Sequence, residues 1–426
     1  MKTFSIALTL LKKEYKKNIS FAMILSFAIF INFIFTNIGT DVLLIEGDIA
    51  QGYGTWESVV LPLSFALPFV INCICWFMMG YASYYYLNKK TQEFALLFIS
   101  GASSFDILKY VLYQILIILC FIFPISIILG IIGTKYVTLL IYHYLHLSDV
   151  TVTIPLSTFT ATLVGTFMIF VWIAMITGGY LHRNTILNFL EQSYNVNTVK
   201  IKKGLFRNII PICIYISALL IMIFQEYYLH GFIFPALLSM LAMTIIIRRT
   251  IPYFVQLWKK KKGIAKKYAL ISMSYYNSSL QGGAFLIIGM MILVTGMIPV
   301  LITQRMYTNE YITGVLCYFV IAGLLGICII FKFSTHIQTR KNEFQALSKI
   351  GYIKNELKKI IRIEIIAFYM TIILLPLPIV IITGIEFMIY ENLTLQLFIF
   401  LVVLYIIPII LSAWLSYHIY INEVIV

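Results

Sequence analysis

The sequence predicts an all-α polytopic membrane protein with about ten transmembrane helices, arranged as two four-helix halves joined by a two-helix insert. The 426-residue chain is 61% hydrophobic and 11% charged, with a mean hydropathy of +0.95. An ordinary globular protein carries about 25% charged residues. Apolar runs of about 18 residues or more recur along the chain, each long enough to cross roughly 30 Å of hydrocarbon. A charged motif also occurs twice, around residues 93 and 343.

The individual spans follow from these apolar runs. Phe4, Ala7, Leu8, Leu11 and Tyr15 precede them and fall on one face of a helix flanked by lysines. This pattern predicts an interfacial amphipathic helix, or alternatively a simple cytoplasmic extension of the first span. The ten predicted spans cover approximately residues 19–39, 59–86, 108–134, 155–180, 208–226, 231–249, 280–303, 312–333, 362–385 and 394–418.

The distribution of lysine and arginine predicts that both termini are cytoplasmic. The opposite loops contain only Lys135 and Arg305 as basic residues, and an even number of spans agrees with this orientation. The net charge of +14 therefore reflects membrane topology, and we expect a multi-pass protein of the cell membrane that contacts lipid and no nucleic acid. The basic residues on the predicted cytoplasmic side lie within residues 12–17, 89–90, 200–207, 248–267 and 340–362.

Three segments are expected. Residues 1–182 form the first half, with the amphipathic helix and spans one to four. Residues 183–250 contain a connecting loop and spans five and six. Residues 251–426 form the second half, with a basic segment that repeats the amphipathic helix and spans seven to ten.

The sequence predicts no catalytic site and no bound cofactor. Lys332, Arg362, Glu364 and Glu386 lie at the ends of predicted spans, and none lies clearly near a bilayer centre. Ionisable residues in mid-membrane mark ion pathways, so this distribution argues against proton- or sodium-coupled transport. The chain has no Gly-x-x-x-x-Gly-Lys-Ser/Thr loop to hold phosphates, so we expect it not to bind ATP itself.

Metal binding is not expected either. His143 and His146 have the spacing of one helical turn but no nearby carboxylate, and two ligands alone are weak support for a metal site. All six cysteines fall inside predicted spans, where they act as small apolar packing residues.

The repeated motif is a charged segment that ends in glycine. The first copy runs over residues 88–102 and the second over residues 339–351. Both copies are predicted to be cytoplasmic, which disfavours a secondary transporter built from inverted repeats. The repeat indicates two homologous halves, each with a soluble element on which a partner can push. The residues that match at an offset of 250 are Glu93 and Glu343, Phe94 and Phe344, Leu97 and Leu347, Gly101 and Gly351, and Lys109 and Lys359.

Prolines also recur in the spans that follow the motif. Pro124 in the third span corresponds to Pro376 and Pro378 in the ninth. Proline inside a span marks a kink whose freed backbone groups neighbouring helices must satisfy. The kinks are either static bends or hinges that let the cytoplasmic part of the span swing.

The pattern Lys-Lys-x-x-Glu-Phe-x-x-Leu-x-x-x-Gly-Ala, followed by a long apolar helix with proline and glycine, resembles the FtsX-like permease domain of ATP-binding-cassette (ABC) transporters. The resemblance covers about residues 60–135 and 312–385, with Tyr352 in place of alanine in the second copy. Ten spans in a four, two, four order are similar to the BceB-type permeases of resistance to cell-wall-directed peptides. Those permeases carry a large extracellular domain where this chain has only residues 304–310.

This resemblance implies a permease that is not an enzyme, in which a separate cytoplasmic ABC ATPase, in two copies, binds the ATP. The function implied is export of, or resistance to, antimicrobial peptides. Alternatives are a lipid or lipid-linked substrate, or a scaffold that controls a cell-wall hydrolase or a sensor histidine kinase. The motif could instead lie against the membrane surface or a neighbouring span. The ATPase-docking residues implied are Glu93, Phe94, Leu97, Gly101 and Ala102, with Glu343, Phe344, Leu347 and Gly351 in the second half.

Overall fold

A computed structural model describes most of the chain. All regular elements among the described residues are helical, so the predicted all-α class is confirmed. The described residues are 7–11, 15–41, 63–144, 152–183, 205–224, 229–262, 268–303, 308–390 and 394–424.

Within these described ranges, fourteen helices and one π-helical segment follow a short helical stretch at residues 7–11. In the first part of the chain they are α1 (Tyr15–Thr40), α2 (Leu63–Lys89), α3 (Thr91–Ile99), α4 (Ser104–Tyr144), α5 (Leu156–Arg183), α6 (Leu205–Phe224) and α7 (Leu229–Ile245). The π-helical segment Ile246–Thr250 joins α7 to α8. The remaining helices are α8 (Ile251–Lys262), α9 (Ala269–Gly282), α10 (Ala284–Thr303), α11 (Thr308–Lys349), α12 (Lys354–Leu374), α13 (Leu377–Tyr390) and α14 (Leu395–Val424).

Eight helical segments of the described chain are long and apolar enough to cross a membrane. They are Phe21–Thr40, Ser104–Tyr144, Leu156–Arg183, Phe234–Lys259, Ala284–Ile302, Tyr311–Ser334, Lys354–Ile389 and Leu395–Val424. The two other predicted spans, at 59–86 and 208–226, are helical where they are described, as α2 and α6.

The chain forms two compact units. The first contains residues 1–196 and 304–324, and the second contains residues 197–303 and 325–426. The predicted insert at 183–250 therefore packs mainly with the second unit, and α11 contributes residues to both units.

In the first unit, α1 is the central helix. It packs against α2, α4 and α5, while α3 lies against the ends of α2 and α4. Phe33 of α1 lies so close to Gly130 of α4 that a β-carbon there would approach its ring to 2.8 Å. Small residues allow close backbone approach between membrane helices, so Gly130 serves helix packing. Ser26 and Ser126 hydroxyls, 2.9 Å apart, add a hydrogen bond between the same helices.

In the second unit, α9, α12 and α14 pack in series. Helices α6 and α7 form a pair, and α10 and α13 pack against that pair. In the second half, two helices, α9 and α10, take the place of the single helix α1 of the first half. The helix is interrupted between them at Gly283. A β-carbon at this position would meet the Lys332 and Phe368 side chains.

Large apolar side chains cover the outside of both units. Phe121, Tyr136, Leu156 and Phe224 are all more than 70% exposed. Water-soluble monomers rarely expose contiguous apolar surface of this kind, whereas hydrocarbon favours it. The exposed surface therefore independently supports a membrane-embedded protein.

The two proline sites differ in structure. Helix α4 continues through Pro124, whereas α12 ends at Leu374 and α13 begins at Leu377, around Pro376. Because Pro376 has no N–H, the Ile372 carbonyl four residues earlier loses its helical donor. The Tyr405 hydroxyl of α14 donates to that carbonyl at 3.2 Å, and the Tyr215 hydroxyl of α6 donates to the Leu375 carbonyl at 2.7 Å.

Candidate functional site: two repeated elbows and the polar clusters within them

The repeated motif folds into the same local structure twice. We call residues 90–106 the first elbow and residues 340–356 the second elbow. Gly101 and Gly351 have φ angles of 89° and 105°, the only positive values among glycines of the described residues. Only glycine adopts this region routinely, so the repeated glycine is explained by the turn that ends the helix.

Each glycine completes a Schellman cap. In the first elbow, the Ala102 and Gly101 amides donate to the Leu97 and Phe98 carbonyls, each at 3.0 Å. In the second, the Tyr352 amide donates to the Leu347 carbonyl at 3.2 Å, and the Gly351 amide donates to the Ser348 carbonyl at 3.1 Å. These bonds satisfy carbonyls that a helix end leaves without partners.

The helix after each glycine begins with a related cap. In the first elbow, the Asp106 carboxylate accepts from the Ser103 amide at 3.2 Å, and the Ser103 hydroxyl accepts from the Asp106 amide at 3.2 Å. The Glu356 carboxylate likewise accepts from the Ile353 amide at 3.0 Å. The reciprocal bond is absent there because isoleucine has no side-chain acceptor.

The repeated phenylalanines point into the protein. Phe94 and Phe344 are 0% and 1% exposed. Phe344 stacks on Tyr275 of α9, with ring centroids 5.4 Å apart, and meets Tyr420 of α14 edge-on. Phe94 and Phe344, which the resemblance implied as ATPase-docking residues, are therefore buried within the chain. Each phenyl ring fixes its elbow onto the unit, because burying a large aromatic side chain stabilises the contact more than exposing the ring would.

Other apolar side chains of the elbows are exposed. Leu96 and Ile99 are 67% and 66% exposed in the first elbow, and Ile350 and Ile353 are 76% and 66% exposed in the second. All four lie outside the eight candidate membrane spans. Each elbow thus offers a small apolar surface next to its glycine turn.

A polar cluster ties the first elbow to its unit. The Lys90 ammonium is 2.8 Å from the Gln114 carbonyl oxygen of α4 and 3.4 Å from the Glu93 carboxylate. The Tyr110 hydroxyl donates to Glu93 at 3.0 Å and accepts from the Gln114 amide at 2.7 Å. The Tyr86 hydroxyl of α2 donates to Gln114 at 3.3 Å. Glu93, predicted to dock a partner, is thus bonded to Lys90 of the elbow and to Tyr110 of α4.

A second cluster occupies the matching place in the second unit. The Arg340 guanidinium of α11 pairs with the Glu364 carboxylate of α12 and donates to the Tyr420 hydroxyl at 2.8 Å and the Ser279 hydroxyl at 3.0 Å. The Lys332 ammonium donates to the Ser279 carbonyl. These residues join four helices: α9, α11, α12 and α14.

The charge state of the second cluster follows from its pairing. Burial alone would lower the pKa of Arg340, but attraction to the Glu364 carboxylate and its hydrogen bonds outweigh burial and raise that pKa. Glu364 and Lys332 are both fully buried. Removing one member of a buried ion pair leaves an uncompensated charge and is strongly destabilising. The cluster therefore holds the four helices together only when both Arg340 and Glu364 are present.

The cation and its acceptor occupy corresponding positions in the two clusters. Lys90 and Arg340 match at the offset of 250, as do Gln114 and Glu364. Each cation bonds a residue 24 positions later in the chain. Sequence reasoning placed Lys90 and Arg340 in the repeated motif and used them as topology signals, but it did not identify Gln114 or Tyr420. The identical spacing of cation and acceptor in both copies was the signal that could have found the pairs.

The remaining predicted residues lie outside the two polar clusters. Glu343 lies half-buried beside Tyr275, and burial together with the Glu343 carboxylate raises the pKa of that tyrosine. Leu97, Leu347 and Ala102 are half-buried members of the caps. His143 is exposed, and His146 lies outside the described residues. Among the described residues, no group of three His, Cys, Asp or Glu side chains could hold a metal ion.

No known protein-family model matches this chain, and no curated protein sequence matches it.

Proposed function

We propose that this chain is the permease subunit of a bacterial ABC complex of the FtsX-like type, located in the cell membrane with both termini cytoplasmic. The observation that carries the proposal is the pair of elbows with the same glycine cap, each presenting exposed apolar side chains outside the spans. Two equivalent docking surfaces on one chain suit a partner that acts as a dimer, as ABC ATPases do.

The buried clusters supply a mechanism for the proposed complex. ATP binding closes the ATPase dimer and displaces the elbows, which lie on the ATPase. Lys90 couples the first elbow to α4 through Gln114, and Arg340 couples the second to α12 through Glu364. Motion of an elbow is thereby passed to the long helices that follow it. The displaced helices act on an antimicrobial peptide or on a lipid-linked molecule within the bilayer.

The docking role is tested by adding charge to the exposed apolar surfaces. Ile99→Asp and Ile350→Asp each place a carboxylate where we expect a buried contact. Each should weaken retention of the co-expressed ATPase about tenfold, since loss of a central interface side chain typically costs more than about 1 kcal/mol. The double variant should lose the ATPase almost completely. Retention is measured by co-purification from membranes and by titration of the purified subunits.

Ser348→Asp is the matched control, because Ser348 is an exposed polar residue two positions before Ile350. It adds the same charge and should leave the ATPase bound. All variants should be present in the membrane at wild-type amounts, since none of these residues lies in a span. Full ATPase stoichiometry in an inserted Ile99→Asp, Ile350→Asp double variant would refute docking at the elbows.

A regulatory scaffold is the second candidate. It would use the same elbows and clusters, with a cell-wall hydrolase or a sensor histidine kinase as the element acted on. Isolation of the intact complex from its native membrane distinguishes the two, because a scaffold co-purifies with the hydrolase or kinase in a fixed ratio.

A further inference from the structure

An apolar groove with a basic end runs between α12 and α14 in the second unit. Its volume is about 340 Å³, and its walls include Ile366, Met370, Ile410, Ala413 and Trp414. The Arg362 side chain lies at one end, exposed to the surroundings, and its guanidinium donates to the Tyr417 hydroxyl at 3.2 Å. The groove therefore combines a nearly continuous apolar lining with one cationic end.

The dimensions of the groove suit one leaflet of a bilayer. Its wall on α12 extends from Arg362 to Ile373, which corresponds to about 16 Å of helix rise. This is about half of the roughly 30 Å hydrocarbon core. Both walls belong to helices that are long and apolar enough to cross a membrane. An acyl chain lying in the groove would thus reach from the basic end toward the membrane centre.

The basic end has the composition of a membrane interface. Trp414 is 59% exposed, and the Arg362 guanidinium lies 5.7 Å from the Tyr417 ring centroid. Lys358 is exposed one helical turn before Arg362, so both cations lie on the same side of α12. Tryptophan and tyrosine are enriched at headgroup level, and arginine at the cytoplasmic interface. Two cations beside an apolar groove complement an anionic headgroup rather than a zwitterionic one.

The first half lacks these cations. The positions that match Lys358 and Arg362 at the offset of 250 hold Leu108 and Leu112. The positive charge is therefore a feature of the second copy and not of the repeated architecture. A general requirement for membrane topology would have applied to both copies.

We infer that this groove binds an anionic phospholipid, with one acyl chain between α12 and α14 and the phosphate at Arg362 and Lys358. The ligand is a lipid of the leaflet at the basic end, such as phosphatidylglycerol. This inference does not depend on the ATPase, because every residue that it uses belongs to the second unit of this chain.

Quenching of Trp414 fluorescence by lipids with brominated acyl chains tests the inference. The full chain is reconstituted in phosphatidylcholine vesicles that contain a minor fraction of brominated phosphatidylglycerol or, separately, brominated phosphatidylcholine. The signal of Trp414 is the difference between the wild type and Trp414→Phe. Brominated phosphatidylglycerol should quench this signal at a lower mole fraction than brominated phosphatidylcholine does. The preference should be about fivefold, the effect of one basic side chain on binding to an anionic surface.

Three variants identify the groove as the source of the preference. Arg362→Gln should abolish the preference, and Arg362→Lys should retain part of it. Ala413→Phe fills the groove and should reduce quenching by both lipids. Lys109→Gln, which removes an exposed cation from the first half, should leave the preference unchanged. Equal quenching by both lipids in the wild type would overturn the inference. So would a full preference in Arg362→Gln, or an absence of quenching because another protein segment fills the groove.

Discussion

Two glycines, Gly101 and Gly351, hold the backbone conformation on which both elbows depend. A β-carbon at either position would meet no atom within 4 Å, so space is not the constraint. The constraint is the positive φ angle, which costs an L-residue about 1–2 kcal/mol. The repeated glycine therefore has a complete structural explanation that is independent of any partner.

Gly101→Ala should lower the stability of the chain by about 1 kcal/mol, whereas Gly101→Asn should cost less because asparagine tolerates left-handed backbone. Gly178 offers the matched control, since it lies inside α5 with equally open space around its α-carbon. Gly178→Ala should be neutral or stabilising, because alanine is the better helix former. Thermal unfolding in detergent provides the measurement. A larger loss from Asn than from Ala at position 101 would contradict the backbone explanation.

The ion pair between Arg340 and Glu364 gives a sharper prediction. Glu364→Gln leaves the buried Arg340 guanidinium without its carboxylate partner and should cost about 3–5 kcal/mol. The double variant Arg340→Lys, Glu364→Gln recreates the Lys90–Gln114 pair of the first half and should recover part of that loss. Denaturant unfolding of the purified chain gives both values.

Glu423→Gln removes an exposed carboxylate from the end of α14 and serves as the control, with an expected change near zero. The interpretation fails if Glu364→Gln is as harmless as this control. It also fails if the double variant is no more stable than Glu364→Gln alone.

At the scale of the helix, the interruption between α12 and α13 is stabilised by neighbouring helices. Two tyrosine hydroxyls from α14 and α6 replace the donors that the broken helix cannot supply. Pro124 causes no such interruption in α4. The pair of prolines that sequence matched as equivalent therefore has different consequences in the two halves, and its role as a hinge remains a prediction.

Tyr405→Phe should destabilise the chain by about 1 kcal/mol, because the Ile372 carbonyl would lose its donor in an apolar environment. Backbone amides next to the interruption, such as Val380, should exchange hydrogen faster. Tyr136→Phe is the control, since Tyr136 is 73% exposed. Hydrogen exchange measured by mass spectrometry in detergent would contradict this account if both variants exchanged at the wild-type rate.

Sequence predicted the helices well because apolar runs are local signals. All ten predicted spans are largely helical where they are described, with interruptions at Gly283 and at Leu375–Pro376. The polar clusters escaped prediction because a lysine or arginine at the end of a span has the same sequence pattern whether it is solvated or buried. Lys90 is buried only because α4 returns beside it with Gln114, and that contact depends on packing. The exposed Leu96 and Ile350 were also overlooked. The motif was defined by residues that are identical at the offset of 250, and those residues build the turn, whereas Leu96 and Ile350 have no identical counterpart.

At the scale of the whole molecule, one chain carries two elbows and so should bind two ATPase copies. The purified chain alone should show no ATP hydrolysis above background. With its co-expressed partner it should form a complex of two ATPases per chain, as measured by native mass spectrometry. Hydrolysis by the clean isolated chain, or a stable complex with a single ATPase, would contradict this stoichiometry and the proposed division of labour.

The two polar clusters place a cation and its acceptor at matching positions, but the strength of that bond differs, and this has a mechanical consequence. In the first half, the link to the long helix is an ammonium on a neutral amide. In the second, it is a guanidinium on a carboxylate. A charge-paired link resists extension more than a link to a neutral acceptor. Under equal force, the bond between Lys90 and Gln114 should break before the ion pair between Arg340 and Glu364. The second elbow should therefore be coupled more rigidly to its long helix than the first. Equal displacement of the two elbows would then move α4 and α12 by different amounts, and the Lys90–Gln114 bond would determine when the first half stops following its elbow.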